Sequence, residues 1–200
     1  MVLYIFDLFG TLAFAISGAL MGVKKGMDIY GCFMLALVTG VGGGTIRDML
    51  LSNVPFILSD ASYLYVVIIA LLLVLLFKPL IESLNEMLIA ADAVGLGVFT
   101  FIGAAKGFNA ELGVHGIIMT ALLTATGGGM LRDILANEVP TVLTREIYAS
   151  ACIVGGGFFV LLNFLGASLI FNALSVSAAV AGIRLFTYKK NYHLPKYKIS

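Results

Sequence analysis

The chain has 200 residues, 60% of them hydrophobic and only 12% charged, against about 25% charged in a soluble domain. Mean hydropathy is +1.07, and twelve basic residues against eleven acidic ones leave a net charge of +1, which provides no nucleic-acid footprint. Composition therefore predicts an all-α, polytopic integral membrane protein whose first partner is the lipid bilayer.

A spanning helix needs about 20 apolar residues, and seven stretches meet that measure. The first, 3 to 23, has no basic n-region and no small-residue cleavage site before Lys24, so it is expected to stay in the mature protein. Lys24, Lys25 and Asp28 close it. The second, 29 to 51, carries Thr39, then Gly42, Gly43 and Gly44, then Arg47 and Asp48. Pro55 and Asp60 separate it from the third, 61 to 79, and Lys78, Pro79, Glu82 and Glu86 separate the third from the fourth, 88 to 106. The fifth, 114 to 136, carries Thr124, then Gly127, Gly128 and Gly129, then Arg132 and Asp133. One apolar run from Ile147 to Phe186 is too long for a single helix and divides at Asn163 and Gly166 into 147 to 163 and 167 to 187. A basic tail, 188 to 200, follows.

Residues 7 to 63 lie over residues 92 to 148 with a constant offset of 85 and no gap. Asp7 falls on Asp92, Gly10 on Gly95, Gly18-Ala19 on Gly103-Ala104, Thr39 on Thr124, Val54-Pro55 on Val139-Pro140 and Tyr63 on Tyr148. The expected units are 1 to 86 and 87 to 166, three spans each, with the seventh helix, 167 to 187, as an addition. An odd number of spans per unit inverts the second copy relative to the first. Basic residues in short loops then give the orientation. With the N-terminus outside, the cytoplasmic loops and tail hold Lys24, Lys25, Lys78, Arg145, Arg184, Lys189, Lys190, Lys196 and Lys198, and the outer loops hold only Lys106.

Three successive glycines weaken a helix by roughly 1 kcal/mol each relative to alanine. Their recurrence at matching places predicts helices 2 and 5 broken near the midplane, where freed carbonyls can face an ion or a small polar solute. The alternative is close helix packing, the role that Gly18 with Gly22 and Gly103 with Gly107 fit by spacing. Arg47, Asp48, Arg132 and Asp133 either line and gate a hydrated route or lock the helices in place. Successive residues on a helix point about 100° apart, so pairing of Arg47 with Asp48 is expected to yield to pairing across the repeat or with carbonyls. Thr39 and Thr124 either add hydroxyls to the route or bond to their own backbone four residues earlier. Asp7 and Asp92 either are solvated at helix ends, the default for such charges, or form a buried charge pair. His115 and His193 are isolated, and Cys32 and Cys152 read as small core residues, so neither a metal site nor a disulfide is expected. The glycines at 40 to 44 lack the lysine of a phosphate loop, and no catalytic constellation is present, so an enzyme is not expected.

Two copies of Gly-Gly-Gly-x-x-Arg-Asp, at 42 to 48 and 127 to 133, in a chain of this length resemble the bacterial and archaeal branch of the trimeric intracellular cation (TRIC) channel family, which also carries a glycine-transporter label. The resemblance covers nearly the whole chain. It implies a homotrimer with a pore in each protomer, a transported monovalent cation, chiefly potassium, and no cofactor. It maps the family's glycine kinks onto Gly42 to Gly44 and Gly127 to Gly129. A prokaryote-like sequence implies the inner (plasma) membrane. The animal members' long basic tail is absent. The other functional class open to this architecture is a secondary transporter of a small solute such as glycine.

Overall fold

The computed structural model describes residues 1–78, 83–144 and 147–190, and these are helical, without a strand among them. Pro79, Glu82, Arg145, His193, Lys196 and Lys198, assigned from the sequence to loops and tail, lie outside the described residues. In chain order the helices are α1 (Val2–Lys24), α2 (Ile29–Leu50), α3 (Phe56–Ser59), α4 (Ser62–Phe77), α5 (Leu84–Asn109), α6 (Val114–Leu135), α7 (Thr141–Thr144), α8 (Ala149–Phe164) and α9 (Leu169–Lys190). Five of them, α1, α2, α5, α6 and α9, are long and apolar enough to cross a membrane. The other two expected spans, α4 and α8, have 16 residues each, or ~24 Å, against a hydrocarbon core of ~30 Å. Each follows a single-turn helix, α3 or α7, that composition alone does not announce.

Local chemistry sets the helix ends. The Asp28 carboxylate accepts from the Gly31 N–H at 2.7 Å and starts α2. Ser83 does the same for Glu86, so α5 begins four residues before its apolar stretch. At the end of α1, Gly26 takes a left-handed conformation (φ 68°) and the Met27 N–H reaches back to the Gly22 carbonyl. Glu111, 85 residues on, holds the same conformation (φ 57°), and Leu112 reaches back to Gly107. Ser52 and Asn137 repeat this after α2 and α6. The offset read from the sequence thus extends to the turns.

The helix pairs pack antiparallel. Phe6 meets Phe101 at 5.6 Å and Phe14 meets Phe99 at 5.2 Å, which sets α1 against α5, its counterpart by repeat. At Gly18 an added methyl would lie 2.8 Å from the Ala36 Cα, and at Gly103 it would lie 2.7 Å from the Ala121 Cα, so these glycines seat α1 on α2 and α5 on α6. One end of the molecule therefore gathers the start of α1, the ends of α2 and α5 and the start of α6. The other gathers the end of α1, the starts of α2 and α5 and the ends of α6 and α9. They are called here the amino end and the carboxy end. Lys24, Lys25, Lys189 and Lys190 sit at the carboxy end and Lys106 at the amino end, as the loop charges required. One apolar core joins α5, α6, α8 and α9, and a second joins α1, α2 and α4. Phe14 of α1 belongs to the first and ties the halves together.

The expected glycine breaks are not present. Both α2 and α6 continue as α-helix through their glycines. Gly42, Gly43, Gly127 and Gly128 serve instead where α2 crosses α6. A methyl group on Gly43 would fall on the Thr124 carbonyl oxygen, and one on Gly128 would fall on the Thr39 carbonyl oxygen. Thr39 and Thr124 are themselves counterparts, so the contact is reciprocal. Backbone against backbone leaves no room for a Cβ, and the helix retains its hydrogen bonds because the neighbouring helix, not a cavity, fills the space.

Alanine at these sites tests the crossing. Gly43→Ala and Gly128→Ala should each destabilise by about 1–3 kcal/mol through overpacking. Gly157→Ala, where the added methyl meets nothing within 4 Å, should be neutral or stabilise by up to about 1 kcal/mol. Thermal unfolding in detergent reads both, and equal effects at the three sites would contradict the crossing.

Candidate functional site

The two Arg-Asp pairs lie at opposite ends of the molecule, each three residues or fewer from the end of its helix. At the carboxy end Arg132 is 1% exposed. Its Nε and Nη2 donate to Asp133 Oδ1 at 2.9 and 2.8 Å, and its Nη1 donates to Asp92 Oδ1 at 2.7 Å and to Ser17 Oγ at 2.5 Å. Asp133 Oδ2 accepts from the Thr141 N–H and hydroxyl at 2.8 and 2.9 Å, so the single turn α7 acts as its seat. The Tyr148 hydroxyl donates to Asp92 at 3.3 Å, and the Arg184 guanidinium lies 4.8 Å above the Tyr148 ring.

At the amino end the same residue types recur in a different arrangement. Arg47 Nε and Nη2 donate to Asp48 Oδ1 at 2.9 and 2.7 Å, and Asp48 Oδ2 accepts from the Phe56 N–H at 3.0 Å, which seats it on α3. The Phe56 ring lies 5.7 Å from the Arg47 Cζ. Asp7, the counterpart of Asp92, is 4% exposed and faces Tyr63, but Arg47 makes no hydrogen bond to it.

Each arginine therefore pairs with its immediate neighbour, contrary to the expectation from helical phase. The three-carbon stem lets the guanidinium fold back over the last turn, and one carboxylate oxygen then accepts from two of its nitrogens. Asp7 and Asp92 are buried, and of the two readings Asp92 takes the buried charge pair, with Arg132. A signal was present, since an aspartate recurs at the 85-residue offset inside two apolar stretches. Tyr148 carried the same signal through Tyr63. Ser17 and Arg184 carried none, and Arg184, counted with the loops and tail, is buried at 4% exposure. Thr39 and Thr124 resolve to backbone bonding, donating to the Leu35 and Thr120 carbonyls at 2.5 and 2.6 Å. Gly42, Gly43, Gly127 and Gly128 lie between the two ends, at the helix crossing, whereas Gly44 lies against the Phe56 ring and Gly129 against the Tyr148 hydroxyl. Cys32 and Cys152 are free and buried.

A cavity of about 370 Å³ opens at the carboxy end and reaches Asp92, Arg132 and Asp133, with Glu138, Arg184 and Tyr188 on its walls. Lys25 pairs with Glu138 across its rim and holds that carboxyl below the usual carboxylate range. At the carboxy end two carboxylates share the Arg132 guanidinium, whereas at the amino end Arg47 bonds to Asp48 alone and Asp7 lies beside it. Within each cluster the aspartates outnumber the arginine bonded to them, while Arg184 at the carboxy end and Lys106 at the amino end add positive charge nearby, where a charge acts over several ångströms.

A glycine-transporter family model matches the chain twice, over residues 4–79 and 89–163, and the two matches begin 85 positions apart. The UPF0126 inner membrane protein YadS of Escherichia coli K12 is 46% identical over 158 residues, 78% of this chain and 76% of that protein. A UPF0126 membrane protein of Vibrio cholerae is 38% identical over 201 residues, covering 100% of this chain and 84% of that one. The crystal structure of the TRIC trimeric intracellular cation channel orthologue from Rhodobacter sphaeroides superposes with a TM-score of 0.90 at 35% identity, over 96% of this chain and 99% of that one. A second TRIC cation channel structure gives a TM-score of 0.87 at 34% identity over 100% and 99%.

The carboxy-end cluster makes a stability prediction. Arg132→Met leaves Asp92 and Asp133 buried without their cation and should cost about 3–5 kcal/mol. Adding Asp92→Asn and Asp133→Asn should recover much of that loss, since the uncompensated charges go with the partner. Additive losses in thermal unfolding would show that the three residues do not act as a unit.

Proposed function

The chain belongs to the family that unites the UPF0126 membrane proteins with the TRIC channels, and from that membership we propose that it is a channel for monovalent cations, chiefly potassium, and not an enzyme. The observation that carries this reading is the pair of buried clusters in which two carboxylates face one arginine, one at each end of the helix crossing. An unpaired unit charge acts at ~4 Å with about 4 kcal/mol at an effective dielectric of 20, and 1.4 kcal/mol is already tenfold in occupancy. A solute passing either cluster meets aspartates that outnumber the arginine bonded to them, and this favours cations over anions.

The path runs within each protomer, from the carboxy-end cavity past Arg132, along the α2–α6 crossing, to Arg47. Seven helices span the membrane, as two inverted three-helix units and α9, with α4 and α8 crossing as short spans. The antiparallel setting of α1 against α5 and the reciprocal contact at Gly43 and Gly128 support the inversion. The protein is read as a homotrimer in the inner membrane with its carboxy end in the cytoplasm, consistent with the basic residues there. Thr39 and Thr124, bonded to their own helices, keep the crossing closely packed. Arg47 and Arg132 stand in the path as removable barriers.

A secondary carrier for a small solute such as glycine is the second reading. It is favoured by one observation: the Arg132 cluster borders a cavity, whereas Asp7 Oδ1 and Arg47 Nη1 are sealed from solvent. One accessible and one sealed end is what an alternating-access carrier requires.

Purified protein in a planar bilayer separates the two readings. A channel should give unitary currents whose reversal potential under a KCl gradient moves toward the potassium equilibrium potential. Asp48→Asn and Asp133→Asn should each shift it back toward zero, and Arg47→Ala and Arg132→Ala should change conductance or gating. Saturable glycine counterflow without unitary current would favour the carrier.

A further inference from the structure

Seven buried side-chain atoms among the described residues have no hydrogen-bond partner, and four of them lie on α1 and α2: Asp7 Oδ1, Thr11 Oγ1, Thr45 Oγ1 and Arg47 Nη1. None belongs to Asp92, Arg132 or Asp133. The repeat explains the difference. Ser17 accepts from Arg132 at the carboxy end, but its counterpart at the amino end is Ile102, fully buried and without an acceptor. Thr141 supplies a hydroxyl to Asp133, whereas its counterpart Phe56 supplies a ring that lies against Arg47. Both replacements hold Arg47 toward Asp48 and away from Asp7.

Asp7 is thereby left buried with one oxygen unpaired, and the charged form of such a group gains from a cation placed against that oxygen. One helical turn along the same face, Thr11 is 0% exposed and its hydroxyl is likewise unpaired. We propose that Asp7, backed by Thr11, binds one monovalent cation at the amino end, and that Arg47 competes with the ion for the same carboxylate. This deepens the cation-channel reading and rests on it. Oxygen ligands suit a hard cation. A single free carboxylate is too little charge for a divalent ion, which takes several, and Arg47, Asp48, Lys106 and Tyr63 are the other groups that face Asp7. When the ion leaves, Arg47 can turn onto Asp7 as Arg132 does onto Asp92, closing the path. Ion occupancy and gate position are then one equilibrium.

The test is thermal unfolding of the purified full chain in detergent, with potassium replaced by N-methylglucamine at constant chloride and ionic strength. The midpoint should rise with potassium and saturate, through linkage of binding to the folded state. Asp7→Asn should abolish the rise, and Thr11→Val should weaken half-saturation at least threefold. Ile102→Ser, which gives Arg47 the acceptor that Ser17 gives Arg132, should weaken it about tenfold by favouring the arginine. Should Asp7→Asn fail to fold, Ile102→Ser and Thr11→Val carry the test. A midpoint independent of potassium would mean that water bridges Asp7 and Arg47, and the same potassium response in Asp7→Asn would place the ion elsewhere; either outcome overturns the site. Wild-type bilayer current is measured alongside. Current present with no potassium-dependent midpoint sinks the site alone, whereas no cation current at all removes the channel reading on which it rests.

Discussion

In an interior of low dielectric a buried carboxylate that loses its arginine costs several kcal/mol. Two such groups therefore dictate where helix ends can go. Asp133 is held by Arg132 and by the start of α7, while Asp92, one helix away, is held by the same guanidinium. A single side chain thus joins α5, α6, α7 and, through Ser17, α1. Arg47 and Asp48 set α3 against the end of α2 in the same way. The single-turn helices, weak as isolated structures, exist because they bring a backbone N–H to a buried aspartate.

Between the two clusters the molecule is joined by the absence of side chains. Gly43 and Gly128 let two backbones touch, and each lies against the carbonyl of a threonine whose hydroxyl is already committed to its own helix. A crossing made this way is rigid in position. In the proposed channel the charged clusters on either side are the adjustable parts, since an arginine could change carboxylates without moving a helix. That division, a fixed centre with a movable charge at each end, suits control of a narrow path.

Much of this was legible in the residues. Apolar stretches of spanning length placed the long helices to within a few residues, and the repeated glycine motif fixed the 85-residue offset that recurs in the turns at Gly26 and Glu111. The rest depended on geometry that spacing does not carry. Helical phase argued against Arg47 pairing with Asp48, because it counts Cβ directions and ignores the reach of a long stem. Glycine propensity argued for broken helices, because it describes an isolated helix and not one supported by a neighbour at contact distance. Asp7 and Asp92 were visible as a repeated pair, yet burial is decided by which helices close over them. The difference between Ser17 and Ile102 has meaning only once Arg132 is seen between them.

The central claim is that ions pass these carboxylates and respond to their charge, and Asp92, on the wall of the carboxy-end cavity, tests it most directly. A cysteine there can be recharged by thiosulfonate reagents added to the carboxy side during single-channel recording. Asp92→Cys should lower the unitary potassium current, a sulfonate-bearing reagent should restore it, and an ammonium-bearing one should lower it further. A cysteine that is fully labelled, as shown by mass, while the unitary current stays unchanged with either sign of charge would contradict the account.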